Sequence, residues 1–234
     1  MDFMLNGIKN DLKRLSDPQK AEILSRFFKT GKGEYGEGDV FLGIKVPDQR
    51  KIAKTYLDLE LEKIQELICS KIHEHRLTSL LILVEKYKKS DETTKKKIFG
   101  FYLKNTKNVN NWDLVDLSAP NIIGNHLLKK DRSVLYKLAK SSNLWEKRIA
   151  IISTFEFIKN DEFEDTLKIS ELLLNDKHDL IHKAVGWMLR EIGKRNQYIE
   201  EQFLKKHYKK IPRTTLRYAI ERFDENKRIF YLGK

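Results

Sequence analysis

The sequence predicts an all-α protein: a right-handed superhelix of paired helices, interrupted once by a short glycine-rich β-hairpin or loop near residues 31–46. Three observations predict it. Apolar residues recur at helical spacing along almost the whole chain. Only four prolines punctuate 234 residues, and alternating β-branched runs are few. Finally, apolar segments containing Arg76, Trp112, Arg148 and Ala184 repeat every 36 residues, each preceded by another amphipathic segment. Helix pairs with a period of that length are the signature of HEAT-like and armadillo solenoids.

The elements follow in order. Phe3 to Leu15 reads as a first helix, with Phe3, Leu5, Ile8, Leu12 and Leu15 on one side. Asp17 and Pro18 read as the N-cap and first position of a second helix, which runs to about Thr30 and carries Ile23, Leu24, Phe27 and Phe28. The pattern then breaks. Residues 31–46 hold five of the eleven glycines and end in an apolar, β-branched stretch. That composition predicts a hairpin that touches DNA, or a connecting loop that tucks Phe41, Leu42 and Ile44 into the core. It matches neither a P-loop nor a strand-led dinucleotide fingerprint, so nucleotide binding is not expected.

Helices resume at Pro47 and run to Tyr56, then from Glu60 to Cys69 and Glu74 to Lys89. Pairs follow: Asp91–Asn105 with Asn111–Gly124, Arg132–Ala139 with Leu144–Ile158, and Phe163–Leu174 with Asp179–Gly193. Tyr198–His207 and Pro212–Phe223 make a last pair, and the charged tail from Glu225 reads as a capping helix. No low-complexity linker divides the chain, so one domain over 1–234 is expected.

Lys and Arg number 46 against 34 Asp and Glu, a formal charge of +12. This charge points to an anionic partner, nucleic acid before a membrane surface. No apolar run is long enough to span a bilayer, and the start of the chain does not read as a signal peptide. A single cysteine, Cys69, excludes an internal disulfide and a multi-cysteine zinc site, which fits a cytoplasmic setting. His73-Glu74-His75 alternates around a helix, so no metal is expected there. Cys69 and the histidines form no readable triad, and no cofactor is expected.

In a solenoid the second helix of each pair lines the concave face. Arg76, Trp112 and Arg148 share a register there, with Asp116 and Trp187 one turn on. Lys147, Lys183, Arg190, Lys194, Arg213 and Arg217 lie on or beside the same helices, and Lys32 and Tyr35 on the insert. Basic residues around two tryptophans and an aspartate suit a phosphate backbone, with the rings pressing on a base or sugar. Trp145 reads as packing, and the lysine runs at 95–97 and 205–206 as solvated faces.

Three motifs in sequence carry a resemblance. Trp112-Asp113-x-Val115-Asp116, Trp145-x-x-Arg148-x-Ala150 and Lys183-Ala184-x-Gly186-Trp187-x-Leu189-Arg190-Glu191 resemble the HEAT-like-repeat DNA glycosylases of the AlkD type, the DNA alkylation repair family. The resemblance implies a C-shaped solenoid that holds duplex DNA and hydrolyses the N-glycosidic bond of cationic N3- and N7-alkylated purines without a base pocket. It implies that Asp116 stabilises charge growing on the deoxyribose. Trp112 and Trp187 would pack on the sugar and backbone, and Arg148 would hold the backbone beside the lesion. Two residues depart from the pattern: Asn111 stands where an aromatic is frequent, and Phe27 where a tyrosine is common. The insert resembles the hairpin-bearing AlkF branch, which implies branched DNA and weak or absent excision. The partner expected is therefore double-stranded or branched DNA, bound by a monomer in the bacterial cytosol or nucleoid. The rivals are a non-catalytic binder of branched or distorted DNA and a protein-binding solenoid.

Overall fold

A computed structural model describes residues 3–233. All regular structure among these residues is helical, as the periodicity predicts. The residue contacts divide the chain into two compact units, Met1–Ser118 and Ala119–Lys234.

The first unit is organised around one helix. Its elements are α1 (Phe3–Arg14), α2 (Pro18–Phe27), α3 (Val46–Thr55), α4 (Leu61–Ile68), α5 (His73–Lys89), α6 (Glu92–Lys104) and most of α7 (Trp112–Ala119). Every residue of α5 from His73 to Val84 is buried. It packs against α1, α3, α4 and α6, which explains its apolar character on all sides. α1 buries Leu5, Ile8 and Leu12, but Phe3 and Leu15, expected on the same face, are exposed.

α2 starts as predicted. The Asp17 carboxylate accepts from the Lys20 amide at 3.1 Å, and Pro18 occupies the first turn. It ends at Phe27, short of Thr30, and buries none of its own ten residues. Its last apolar group, Phe28, is buried just beyond the C-terminus.

Residues 31–45 form the loop rather than the hairpin, and Val46 already opens α3. Tight turns link Glu34 to Gly31, Gly36 to Lys29 and Asp39 to Gly36 through backbone bonds of 2.9–3.1 Å. The sole ladder-like contact among the described residues is an isolated parallel bridge, Val40 to Ile72. Hairpin pairing fails because the amides are used elsewhere. Those of Leu42, Gly43 and Ile44 all donate to the buried carboxylate of Glu74, at 2.9, 2.8 and 3.2 Å. Phe41 and Ile44 enter the core and Leu42 is half-buried, which is the tucked arrangement.

The second unit opens on a π-helical turn, Pro120–Gly124, and α8 (Asn125–Leu127). The wider turn accommodates Pro120, which has no N–H to donate. It continues with α9 (Ser133–Ala139), α10 (Leu144–Ser153), α11 (Phe155–Lys159), α12 (Glu164–Leu173), α13 (Asp179–Gly193), α14 (Gln197–His207), α15 (Arg213–Ala219) and α16 (Glu225–Leu232). α10 packs on α9 and α13, and α13 also meets α12, α14 and α15. The approach of α13 to α15 depends on Gly186, where a Cβ would lie 2.5 Å from the Thr215 carbonyl oxygen.

Candidate nucleic-acid interface

Trp112 opens α7 and Asp116 follows one turn later, so both project from one side of the helix. Both side chains are half-buried. Trp112 stacks on Phe28 with ring centroids 5.1 Å apart and meets the exposed Phe27 edge-on at 5.8 Å. Asp116 lies close enough to the buried Tyr102 to act on its ionisation. Burial raises the Tyr102 pKa and the Asp116 charge adds to this, against the opposing hydrogen bond with Ser118 at 2.9 Å. The phenol therefore stays neutral, an uncharged neighbour of the carboxylate.

The first turn of α7 is held from below. The Asn111 side chain accepts from the Trp112 amide at 2.8 Å, which gives a purpose to the residue that departs from the family pattern. Asp113 accepts from the Leu114 amide at 2.8 Å and meets His73 Nε2 at 2.8 Å. The other His73 nitrogen faces Asp39 at 3.5 Å, and Asp39 accepts from Arg76 at 2.6 Å. Burial opposes the His73 cation, but Asp113 and then Asp39 outweigh it, so its pKa lies above the ordinary 6.5.

This network corrects one expectation. Arg76 is buried, donating to Asp39 and, at 2.8 Å, to the Ser70 carbonyl. It is an internal anchor of the glycine-rich loop rather than a DNA-facing cation. Of the loop's own candidates, Lys32 is exposed and Tyr35 is half-buried.

In the second unit, Trp187 is half-buried on α13, its indole N–H donating to Glu191 at 2.9 Å. Arg148 is buried on α10 and donates to the Leu180 carbonyl at 2.6 Å, in the first turn of α13. Most of the basic candidates are already paired. Lys147 holds Asp176 at 2.6 Å; burial raises the Asp176 pKa, but the ammonium outweighs it and keeps the carboxyl below its usual range. Lys183 pairs with Asp179 at 2.8 Å, Lys194 with Glu191 at 2.7 Å and Arg190 with Glu221. Arg213 is exposed and donates to the Leu232 carbonyl at 2.6 Å, and Arg217 is exposed. Exposed ion pairs contribute ~0–1 kcal/mol each, so the Lys183 and Lys194 ion pairs hold these ammonium groups only weakly.

Sequence reasoning missed the group beneath Trp112. His73, Glu74 and Asp113 were legible only as a charged triplet and a spacer, because their partners lie about 30–40 residues away. The one available signal was the presence of charge on α5, a helix otherwise apolar enough to be a core element.

A family model described as DNA alkylation repair enzyme matches residues 8–223. No curated protein matches the sequence. Among solved structures, a predicted DNA alkylation repair enzyme from Enterococcus faecalis superposes with a TM-score of 0.68 at 17% identity, over 90% of this chain and 97% of its own. At that identity the likeness establishes the shared helical fold.

Proposed function

The chain belongs to the DNA alkylation repair enzyme family, and from that membership we propose that it is a monofunctional DNA N-glycosylase acting on cationic N3- or N7-alkylated purines. The observation that carries the reading is the Trp112–Asp116 pair, one turn apart on α7, each partly open to solvent and backed by aromatic and neutral groups.

An alkylated cationic purine leaves with the electron pair of its glycosidic bond and becomes neutral, so no general acid is required. What remains is a sugar with oxocarbenium character. A carboxylate in a partly dry setting stabilises that charge, and the attacking water adds to C1′ and gives its proton to Asp116 or solvent. Trp112 and Trp187 supply flat faces for sugar and backbone. Lys183, Lys194, Arg213 and Arg217 supply phosphate contacts. Arg148 acts as a positioning residue, ordering the start of the helix that carries Lys183 and Trp187.

The test is base release from methylated duplex DNA. Asp116→Asn is expected to lower release by ~10²–10³-fold while duplex affinity stays within about twofold of wild type. Excision that survives in the variant overturns the assignment. A second reading, binding of branched or distorted DNA without excision, is favoured by the exposure of Lys32 on the 31–39 loop. Under it, wild type releases no base, and Lys32→Glu weakens four-way-junction binding more than duplex binding.

A further inference from the structure

Trp112 is held from two directions, and both lead to His73. Its ring stacks on Phe28, Phe28 stacks on Phe41 at 5.1 Å, and the His73 ring lies 4.5 Å from Phe41 and 5.1 Å from Phe28. Its chain neighbour Asp113 is buried and meets His73 Nε2. His73 also takes the end of the glycine-rich loop. Its amide donates to the Val40 carbonyl at 2.8 Å, and its Nδ1 faces Asp39. This imidazole, only 2% exposed, therefore touches both the loop and the first turn of α7.

The rings alone are a loose hold. A cavity of 270 Å³ lies beside Phe28 and Phe41, between α2, the loop and α5, and leaves both rings room to shift. The charges are the tighter hold. Arg76, Asp39, His73 and Asp113 alternate in sign when the imidazole carries both its protons. A neutral ring donates from one nitrogen and turns the lone pair of the other towards a carboxylate, either Asp113 at 2.8 Å or Asp39 at 3.5 Å. Nδ1 has no hydrogen bond to fall back on. The other charges around the ring do not replace this pairing. Glu74 is spent on loop amides, His75 is neutral above about 4, and Arg76 opposes the imidazolium. Lys20 and Lys45 line the cavity, Lys20 paired with Asp17.

We propose that His73 is a positioning residue for the Trp112–Asp116 pair: as an imidazolium it ties the first turn of α7 to the glycine-rich loop, and loss of its proton lets that turn drift from the geometry that base release requires. Its raised pKa extends the tied state upwards from pH 6.5. The loop is then part of the frame that aims Asp116, besides any contact it makes with DNA. The inference rests on the glycosylase reading above.

The experiment measures single-turnover base release from methylated duplex DNA between pH 6 and 9, for wild type, His73→Gln and Asp39→Asn. His73→Gln is expected to slow release about 10–100-fold at pH 6 while duplex Kd stays within about threefold, because a displacement of about 1 Å is enough to cost that much in rate. Wild-type release is expected to fall as pH rises through the folded pKa of His73. Asp39→Asn, which removes the anion facing Nδ1, moves that fall to lower pH. Release by His73→Gln at the wild-type rate overturns the proposal, as does an Asp39→Asn profile that is flat or falls no earlier than wild type. Should circular dichroism show Asp39→Asn unfolded, His73→Gln combined with Asp113→Asn decides: a tie acting through Asp113 makes the double variant no slower than the slower single one, and multiplied losses overturn it. No release by wild type refutes the glycosylase reading itself. The tie is then read from Trp112 fluorescence with Trp145 and Trp187 replaced by Phe, where His73→Gln is expected to raise acrylamide quenching and unchanged quenching overturns it.

Discussion

Glu200 is buried beneath α13, and its Oε1 has no hydrogen-bond partner. Burial, with Glu201 nearby, pushes its pKa up to about 9 from 4.5. Between those values the folded carboxyl keeps its proton while the unfolded one has lost it, so its contribution to stability falls as pH rises through that window. Glu200→Gln is therefore expected to stabilise the protein at pH 8 by about 1–3 kcal/mol, with the gain vanishing below pH 4.5; thermal melts at the two pH values check this. His73 shifts stability in the same direction with pH. Its folded pKa is raised, so its contribution is complete below about 6.5 and is lost as pH rises through the folded value. His73→Gln should accordingly cost more stability at pH 5.5 than at pH 8 in urea titrations. Its neighbour His75, depressed to about 4 by burial and the nearby Lys9 and Arg76, makes wild type itself less stable as pH falls from 6.5 towards 4. The comparison with wild type at each pH isolates His73. None of these residues announced its state in sequence, since each shift is set by burial and by a partner remote in the chain.

At the scale of elements, the glycine-rich loop is the least negotiable part of the first unit. Gly43 has φ 85, and a Cβ there would lie 2.2 Å from the Asp17 carbonyl oxygen. Gly43→Ala is expected to displace α2 and lower the melting temperature markedly. Glu74→Gln keeps the shape but turns one acceptor oxygen into a donor that faces loop amides, at a cost of about 2 kcal/mol or more; chemical denaturation measures it. Deleting the loop is a poor probe of DNA binding, because Asp39 within it anchors Arg76 and faces His73. Helix positions were legible because each apolar stripe repeats at 3.6 residues. The loop's path was not, because it is fixed by one carboxylate on α5 and not by pairing within the segment.

For the molecule as a whole, the charge of +12 matters through its distribution. Most of the basic side chains proposed for DNA already hold a carboxylate or a carbonyl, so on the proposed function binding would exchange partners and release counterions from the DNA. If Lys183, Lys194, Arg213 and Arg217 each neutralise a phosphate, the slope of log affinity against log salt is about −3 to −4. Arg217→Glu should make it shallower by about one. A slope near zero would point to a protein partner instead. No helix among the described residues is long and apolar enough to cross a membrane.

The sequence by itself determined the helical class and the order of the elements, and it singled out Trp112 and Asp116 one turn apart, because helical period and side-chain type are local properties. Only the tertiary structure decided which way the repeated register faces. Arg76, Arg148 and Ala184 occupy equivalent positions and all three are buried. An arginine can be buried where a backbone carbonyl accepts from it, as those of Ser70 and Leu180 do, and no spacing rule reveals which carbonyl that is. The cavity beside Phe28 and Phe41 was likewise invisible, since its walls come from α2, the loop and α5, the last two tied by Glu74.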